Sequence, residues 1–120
     1  MVHRSYDFKK LHEIAHGDQD FVQDLMITFV ENVSDDIEKI QSLRLLENWK
    51  AIAEIAHRLA SRFAYLNIDS MQDLSTDIER SVLIHNNLTG IADKVDRLCN
   101  ETILLLEQLK KDFEFLCKLK

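Results

Sequence analysis

The chain has 120 residues, of which 46% are hydrophobic and 30% charged, and this composition is typical of one globular domain. The formal net charge is -6, and no cluster of Lys and Arg forms a basic face, which argues against nucleic-acid binding. No apolar run is long enough to span a membrane, so the sequence predicts a cytoplasmic protein without membrane insertion. We expect residues 1–120 to form a single domain and a monomer.

The scarcity of turn-forming residues favours long helices joined by short polar turns, since proline is absent and only two glycines occur. Apolar residues recur about every 3.6 positions almost from end to end. A short first helix is predicted over about Asp7–His16, and Gly17 ends it. Asp18 caps a second helix, which ends near Leu45, and a third helix starts near Glu47.

The second half of the chain continues the helical pattern. Asp69 or Ser70 is predicted to cap a fourth helix, Asn86-Asn87 is predicted to form a turn, and a last helix follows with its apolar positions spread from Ile91 to Leu116. Four long amphipathic helices bury their apolar stripes against one another, so the fold class is all-α. We predict an up-down four-helix bundle with a short additional N-terminal helix across one end. Three aromatic residues are placed in its core: Phe21, Phe29 and Trp49.

One histidine lies at the rim of the third helix. On a helical wheel of about 100° per residue that starts at Trp49, the apolar stripe centres at about 320° and His57 falls at about 80°. Small side chains surround His57, which leaves it open to an approaching protein. Lys50, two turns earlier, lies on almost the same line. The predicted docking face around His57 comprises Ala53, Glu54, Ala60 and Ala64.

Several short motifs precede and follow this histidine in a fixed order. They are Gly17-Asp18 with Phe21, Phe29, Asn48-Trp49, Ala56-His57-Arg58-Leu59, Leu66-Asn67-Ile68, Leu74 and Ile78-Glu79. Their order and spacing over residues 6–80 resemble those of the histidine-containing phosphotransfer (HPt) domain family of two-component phosphorelays. The last predicted helix agrees with that family only as an amphipathic helix.

The resemblance implies a phosphocarrier and not an enzyme. His57 would accept a phosphoryl group on Nε2 from a receiver-domain aspartate, or from a kinase, and pass it to another receiver. The implied partners are response-regulator receiver domains and a sensor or hybrid histidine kinase. Mg²⁺ is expected on the receiver, so no cofactor, metal or ATP site is expected in this chain.

Two positions differ from the usual family pattern. HPt domains usually have Lys three residues after the histidine and Gly at the fourth, where this chain has Ala60 and Ser61. We expect Ser61 to preserve the small docking surface, and Lys50 to supply the positive charge that Ala60 lacks. The differences also leave open a docking or adaptor module without phosphotransfer.

A metal-binding helical bundle is a further alternative. The pattern His12-Glu13-Ile14-Ala15-His16 matches the H-E-x-x-H motif of zinc hydrolases, in which Glu13 would be the base. Glu13 and His16, and likewise Glu54 and His57, have the Glu-x-x-His spacing of di-iron bundles. Glu54 falls at about 140° on the helical wheel, outside the apolar stripe, so this second pair is predicted to face solvent.

The two cysteines bear on the cellular compartment. Cys99 and Cys117 fall on the same predicted helix, about 27 Å apart at 1.5 Å per residue. That separation excludes an intrachain disulfide, and two reduced thiols are typical of a cytosolic protein.

Overall fold

A computed structural model of the chain describes residues 6–116. These residues form five α-helices, a short 3₁₀-helix and no strand, so the predicted all-α fold is confirmed. The helices are α1 (Lys9–Ile14), α2 (Gln19–Leu45), α3 (Trp49–Tyr65), α4 (Asp69–Leu83) and α5 (Ile91–Asp112), followed by the 3₁₀-helix Glu114–Leu116.

The four long helices close into a ring. α2 packs against α3 and α5, and α4 packs against the same two helices from the other side. Short connections reverse the chain direction between successive helices, which is the up-down arrangement. An ion pair between Arg44 Nε and Asp96 Oδ1, 3.1 Å apart, holds the end of α2 beside the start of α5.

Helix α1 lies across the end of the bundle where α3 finishes. The backbone N–H of Asp7 donates to the carbonyl of Leu66 at 2.9 Å, and the side-chain amide of Asn67 donates to Asp7 Oδ1 at 2.6 Å. Lys10 Nζ donates to the carbonyl of Ala64 at 3.2 Å. Three hydrogen bonds therefore fix α1 to the last turn of α3 and the turn after it.

Residues with positive φ end the helices more sharply than the periodicity suggested. α1 stops at Ile14, short of the predicted His16, because His16 takes a left-handed φ of 51°. Glu47 has a φ of 52°, so α3 cannot start there and begins at Trp49. The predicted Asp18 cap of α2 is confirmed, since its carboxylate accepts from two backbone N–H groups of the first turn.

The predicted cap of α4 is wrong. Neither Asp69 nor Ser70 caps the helix, which has Ile68 at its N-cap position and no side-chain cap. Asn67 adopts a φ of 54°, and the helix starts directly after it. Ile68, 1% exposed, is buried in the core at that point, so burial of an apolar side chain fixes the start of α4 in place of a polar cap.

The last helix is shorter than predicted. α5 ends at Asp112 and does not continue to Leu116, because Phe113 is extended with φ -130° and ψ 106°. The ring of Phe113 packs edge-on against Phe8, with ring centroids 5.1 Å apart. Aromatic packing across the end of the bundle therefore competes with continued helix.

One contiguous hydrophobic cluster fills the space between the helices. Phe29 is buried in it, but the predicted core position of Phe21 is wrong, since Phe21 is 43% exposed. The buried stripe of α2 includes Val22, and Phe21 lies about 120° from the centre of that stripe at 100° per residue. Trp49 packs against the cluster at its margin. Over the described part of the chain, no helix has the length and apolar character that crossing a membrane requires.

Candidate functional site

His57 stands midway along α3 with its side chain 69% exposed. Its neighbours Ala56 and Leu59 are fully buried, so the helix beneath it is held against the core on the opposite side. The backbone of His57 therefore belongs to a packed helix, whereas its imidazole faces solvent.

A carboxylate on the adjacent helix fixes the orientation of this imidazole. Nδ1 of His57 lies 2.7 Å from Oε2 of Glu79, which is on α4 and has its side chain 24% exposed. The contact is ionic and is not aligned as a hydrogen bond, but a carboxylate oxygen this close to Nδ1 favours the proton on that nitrogen, because an ionised carboxylate can only accept. In the neutral ring the lone pair then belongs to Nε2, the nitrogen at the outer edge of the ring. The contact gives the exposed histidine a defined nucleophilic atom.

The sequence-based site did not include Glu79. The signal for it was present, because Ile78-Glu79 is the last of the family motifs. What the sequence could not show is that this carboxylate reaches the histidine from the neighbouring helix, since that requires the register of α4 against α3.

An open groove of about 400 Å³ runs beside His57 between α3 and α4, with α1 at one end. Small side chains and one tyrosine ring line it from α3, and polar side chains line it from α4. The α3 residues are Ala60, Ser61, Ala64 and Tyr65, and the α4 residues are Gln72, Thr76 and Glu79. The remaining lining residue is Lys10 of α1. The groove thus offers hydroxyl, amide and ammonium donors near an exposed nucleophile.

Of the predicted docking face, Ala60 and Ala64 line the groove, and Glu54 is exposed outside it. Ser61, the predicted supporting residue, also lines the groove, and the docking and supporting roles of these residues stay predictions. Ala53 is 0% exposed, so its assignment to the docking face is wrong. It lies at the edge of the apolar stripe of α3, where the packed helices close over it.

Lys50 is exposed but does not line the groove, so its supporting role stays a prediction. Lys10 is the lysine that the structure brings into the groove. Sequence reasoning missed it because Lys10 belongs to a separate short helix, whose position depends on how α1 crosses the end of the bundle.

The two arginines that follow His57 on α3 are turned away from the groove. Arg58 Nη2 lies 3.2 Å from Asp36 Oδ1, and Arg62 Nε lies 3.3 Å from Asp36 Oδ2. Asp36 is on α2 and only 3% exposed. The contact of Arg62 is ionic and is not aligned as a hydrogen bond. Both guanidinium groups thus join α3 to α2 on the side opposite Glu79.

The geometry gives the metal alternatives no support. His12 is on α1, whereas His16 lies beyond its end with a left-handed φ, so the H-E-x-x-H pattern is not on one continuous helix. Glu54 and His57 are both exposed. Within residues 6–116, no group of three or more His, Cys, Asp or Glu side chains is placed to hold a metal ion.

Comparison with known families gives one result. A model of the Hpt domain family matches residues 24–112 of the 120 in the chain, a range that includes both His57 and Glu79. Helix α1 lies before this range. No curated protein and no solved structure matches the chain.

Proposed function

Since the chain belongs to the HPt domain family, we propose that it is a phosphorelay intermediate that accepts a phosphoryl group on His57 and passes it on. The donor is a receiver-domain aspartate or a histidine kinase, and the acceptor is another receiver domain. The observation that carries the proposal is the contact of His57 Nδ1 with Glu79, which leaves Nε2 of an exposed imidazole free to react.

The transfer step needs one nucleophile from this chain. The Nε2 lone pair attacks the phosphorus of the aspartyl phosphate, in line with the bond to the leaving carboxylate oxygen. A P–N bond forms, the P–O bond breaks, and its electron pair stays on the aspartate carboxylate. Nδ1 keeps its proton, so the phosphorylated imidazole ring carries a positive charge that faces the carboxylate of Glu79.

Transfer to the next receiver is the reverse of this step with a different aspartate. The proposal places Mg²⁺ on the receiver, where it neutralises charge on the transferring phosphoryl group. It places ATP chemistry on a separate histidine kinase. This chain then contributes the position of the nucleophile. It holds an imidazole of fixed orientation on a packed helix, beside a groove that is lined partly by small side chains.

A receiver domain would approach the exposed edge of His57. Ala60, Ser61 and Ala64 have short side chains, which let a partner surface come close to the imidazole. Tyr65, 50% exposed, lies at the same groove and offers an amphipathic ring for contact. We place this encounter in the cytoplasm, where receivers and their kinases meet.

A docking module without phosphotransfer is the second candidate. It is favoured by Ala60 and Ser61, which put no charge on the two positions where the family usually has Lys and Gly. Both candidates use the same face of α3, and they differ in whether His57 becomes phosphorylated.

The experiment that separates them follows the phosphoryl group between two proteins. The chain is first phosphorylated with phosphoramidate and separated from the reagent. It is then mixed with Mg²⁺ and a panel of purified receiver domains. We expect intact mass to show loss of the phosphoryl group from this chain in the presence of at least one receiver, and faster than without it. The docking module would be favoured if a receiver binds the phosphorylated chain but the phosphoryl group is lost only at the rate measured without that receiver.

Two variants control that experiment. His57→Gln should neither take up a phosphoryl group nor transfer one to a receiver. His85→Gln, which changes an exposed histidine in the turn after α4, should behave as the parent does.

A further inference from the structure

We propose that Lys10 of α1 binds the phosphoryl group that His57 carries, and so supplies the positive charge that α3 lacks. This inference rests on the proposed function and adds a residue to it. Lys10 lies before the range that the family match covers, so membership of the family does not itself assign the role.

The position of Lys10 is the first argument. Lys10 and His57 line the same groove, and Lys10 is the only Lys or Arg among its described lining residues. Its ammonium is 3.2 Å from the carbonyl of Ala64, two turns of α3 beyond His57. Seven residues of helix correspond to about 10 Å along the axis. A flexible four-carbon stem lets the ammonium move along the groove toward His57.

The charges around His57 give the second argument. The carboxylate of Glu79 is directed to Nδ1, and Arg58 and Arg62 are held by Asp36 on the far side of α3. A phosphoryl group on Nε2 brings negative charge into the groove. Glu79, which also lines the groove, already carries a carboxylate there. Among the described residues that line the groove, Lys10 is therefore the cation that can pair with it.

The present contact of Lys10 can be given up easily. The carbonyl of Ala64 also accepts the backbone N–H of Asn67, at 3.1 Å. It stays hydrogen-bonded when the ammonium leaves, so no buried acceptor is left without a partner. Movement of Lys10 from this carbonyl to a phosphoryl oxygen then exchanges a neutral acceptor for a charged one.

The base of α1 stays fixed during this exchange. The hydrogen bonds of Asp7 to Leu66 and Asn67 hold the start of α1. The Asn67 amide and the backbone N–H of Lys9 keep the pKa of the Asp7 carboxyl below its ordinary value. The tether therefore persists at neutral pH, and only the Lys10 side chain has to move.

The test compares lysine variants of the full chain during phosphorylation by phosphoramidate. Lys10→Met keeps an unbranched side chain without charge, and Lys10→Arg keeps the charge. Lys9→Met is the matched control, because Lys9 is exposed on the same helix but does not line the groove. Intact mass gives the rate of phosphorylation of His57 and the rate at which the product hydrolyses, at low and at high salt.

We expect Lys10→Met to slow phosphorylation roughly three- to tenfold, the range of a charge-assisted contact at an exposed site. Its rate should also depend less on salt, since an exposed charge pair is screened by ions. Lys10→Arg should restore most of the rate, and Lys9→Met should match the parent.

Three results would overturn the inference, and they differ in what else they remove. A parent chain that takes up no phosphoryl group, either from phosphoramidate or from phosphorylated receiver domains with Mg²⁺, removes the proposed function together with the role of Lys10. Equal rates and salt dependence in the parent and Lys10→Met remove only the role of Lys10. A slow Lys10→Met with the salt dependence of the parent and a lower midpoint of urea unfolding assigns Lys10 to holding α1 in place.

Discussion

Nδ1 of His57 on α3 lies 2.7 Å from Oε2 of Glu79 on α4. A carboxylate on α4 therefore determines which nitrogen of the histidine on α3 is free to react. The register between α3 and α4 is therefore part of the site. His57 would be an exposed histidine with either nitrogen available if α4 were shifted by one residue.

This relationship predicts the effect of changing Glu79. Glu79→Ala removes both the acceptor and the charge that faces the phosphorylated ring, so we expect phosphorylation of His57 to slow about tenfold. Tenfold corresponds to about 1.4 kcal/mol, which suits a close ionic contact at an exposed ring. Glu79→Gln keeps an acceptor oxygen, and its rate should fall between those of the parent and Glu79→Ala. The rates are measured by intact mass with phosphoramidate.

Asp73→Asn is the matched control for these variants, because it removes one negative charge from an exposed position of the same helix. Its rate should equal that of the parent. If Glu79→Ala also kept the parent rate, the contact with Nδ1 would have no part in the reaction.

Lys50 gives a prediction that opposes the sequence-based one. Helical periodicity places Lys50 on nearly the same side of α3 as His57, and the sequence analysis therefore predicted a supporting role for Lys50. Because Lys50 does not line the groove beside His57, we expect that Lys50→Glu changes the phosphorylation rate less than about twofold, as for an exposed and screened charge. Lys10→Glu, assayed in parallel, should have the larger effect. A fall for Lys50→Glu as large as that for Lys10→Glu would return the supporting role to Lys50.

The buried carboxylate of α2 predicts an effect on stability. Asp36 is 3% exposed and faces both Arg58 and Arg62. Asp36→Asn leaves two guanidinium groups without an anion, and both are partly exposed, so we expect the free energy of unfolding to fall by about 2 kcal/mol, less than for a fully buried pair. Urea unfolding measures this.

Asp35→Asn serves as the comparison, because Asp35 precedes Asp36 on α2 and is exposed. It should change the free energy of unfolding by less than about 0.5 kcal/mol. Equal stabilities of the two variants would show that the ion pairs of Asp36 contribute nothing net.

Cys99 predicts a dependence of stability on pH. Burial, with a smaller contribution from the charge of Asp96, raises the pKa of this thiol from 9.0 to about 11. A folded-state pKa above the unfolded one means that the unfolded chain loses the thiol proton first. The stabilising contribution is therefore complete below pH 9 and is lost as the pH rises toward 11.

We measure this as the free energy of unfolding at about pH 8 and about pH 10.5, in the parent and in Cys99→Ala. The parent should lose about 2 kcal/mol more than the variant over this interval. Other groups that titrate there are common to both proteins, as is Cys117, which lies outside the described residues. Parallel losses in the two proteins would show that the thiol titrates alike in the folded and unfolded chains.

Much of the architecture could be predicted because it depends on local pattern. Apolar residues at helical spacing predicted the four long helices, and the side chain of Asp18 predicted the start of α2. The errors lie where packing decides. Phe21 is in the helix that was expected but outside its buried stripe, and Phe113 ends α5 because its ring packs against Phe8.

The residues of the candidate site differ in how far the sequence predicts their positions. The exposed position of His57 was predictable, since its place at the rim of the apolar stripe depends on residues of one helix. Glu79 and Lys10 reach the site from two other helices, so their roles depend on helix register and on the path of α1. Ala53 failed as a docking residue for a related reason, because one position on a helical wheel separates a buried edge from an exposed rim.

The most direct test of the central claim locates the phosphoryl group itself. The parent and His57→Gln are incubated with phosphoramidate and, separately, with phosphorylated receiver domains and Mg²⁺, and their intact masses are compared under non-acidic conditions. We predict one phosphoryl group on the parent, lost in mild acid, and none on His57→Gln. An equal adduct on His57→Gln, or no adduct on the parent from either donor, would contradict the claim that His57 carries phosphate.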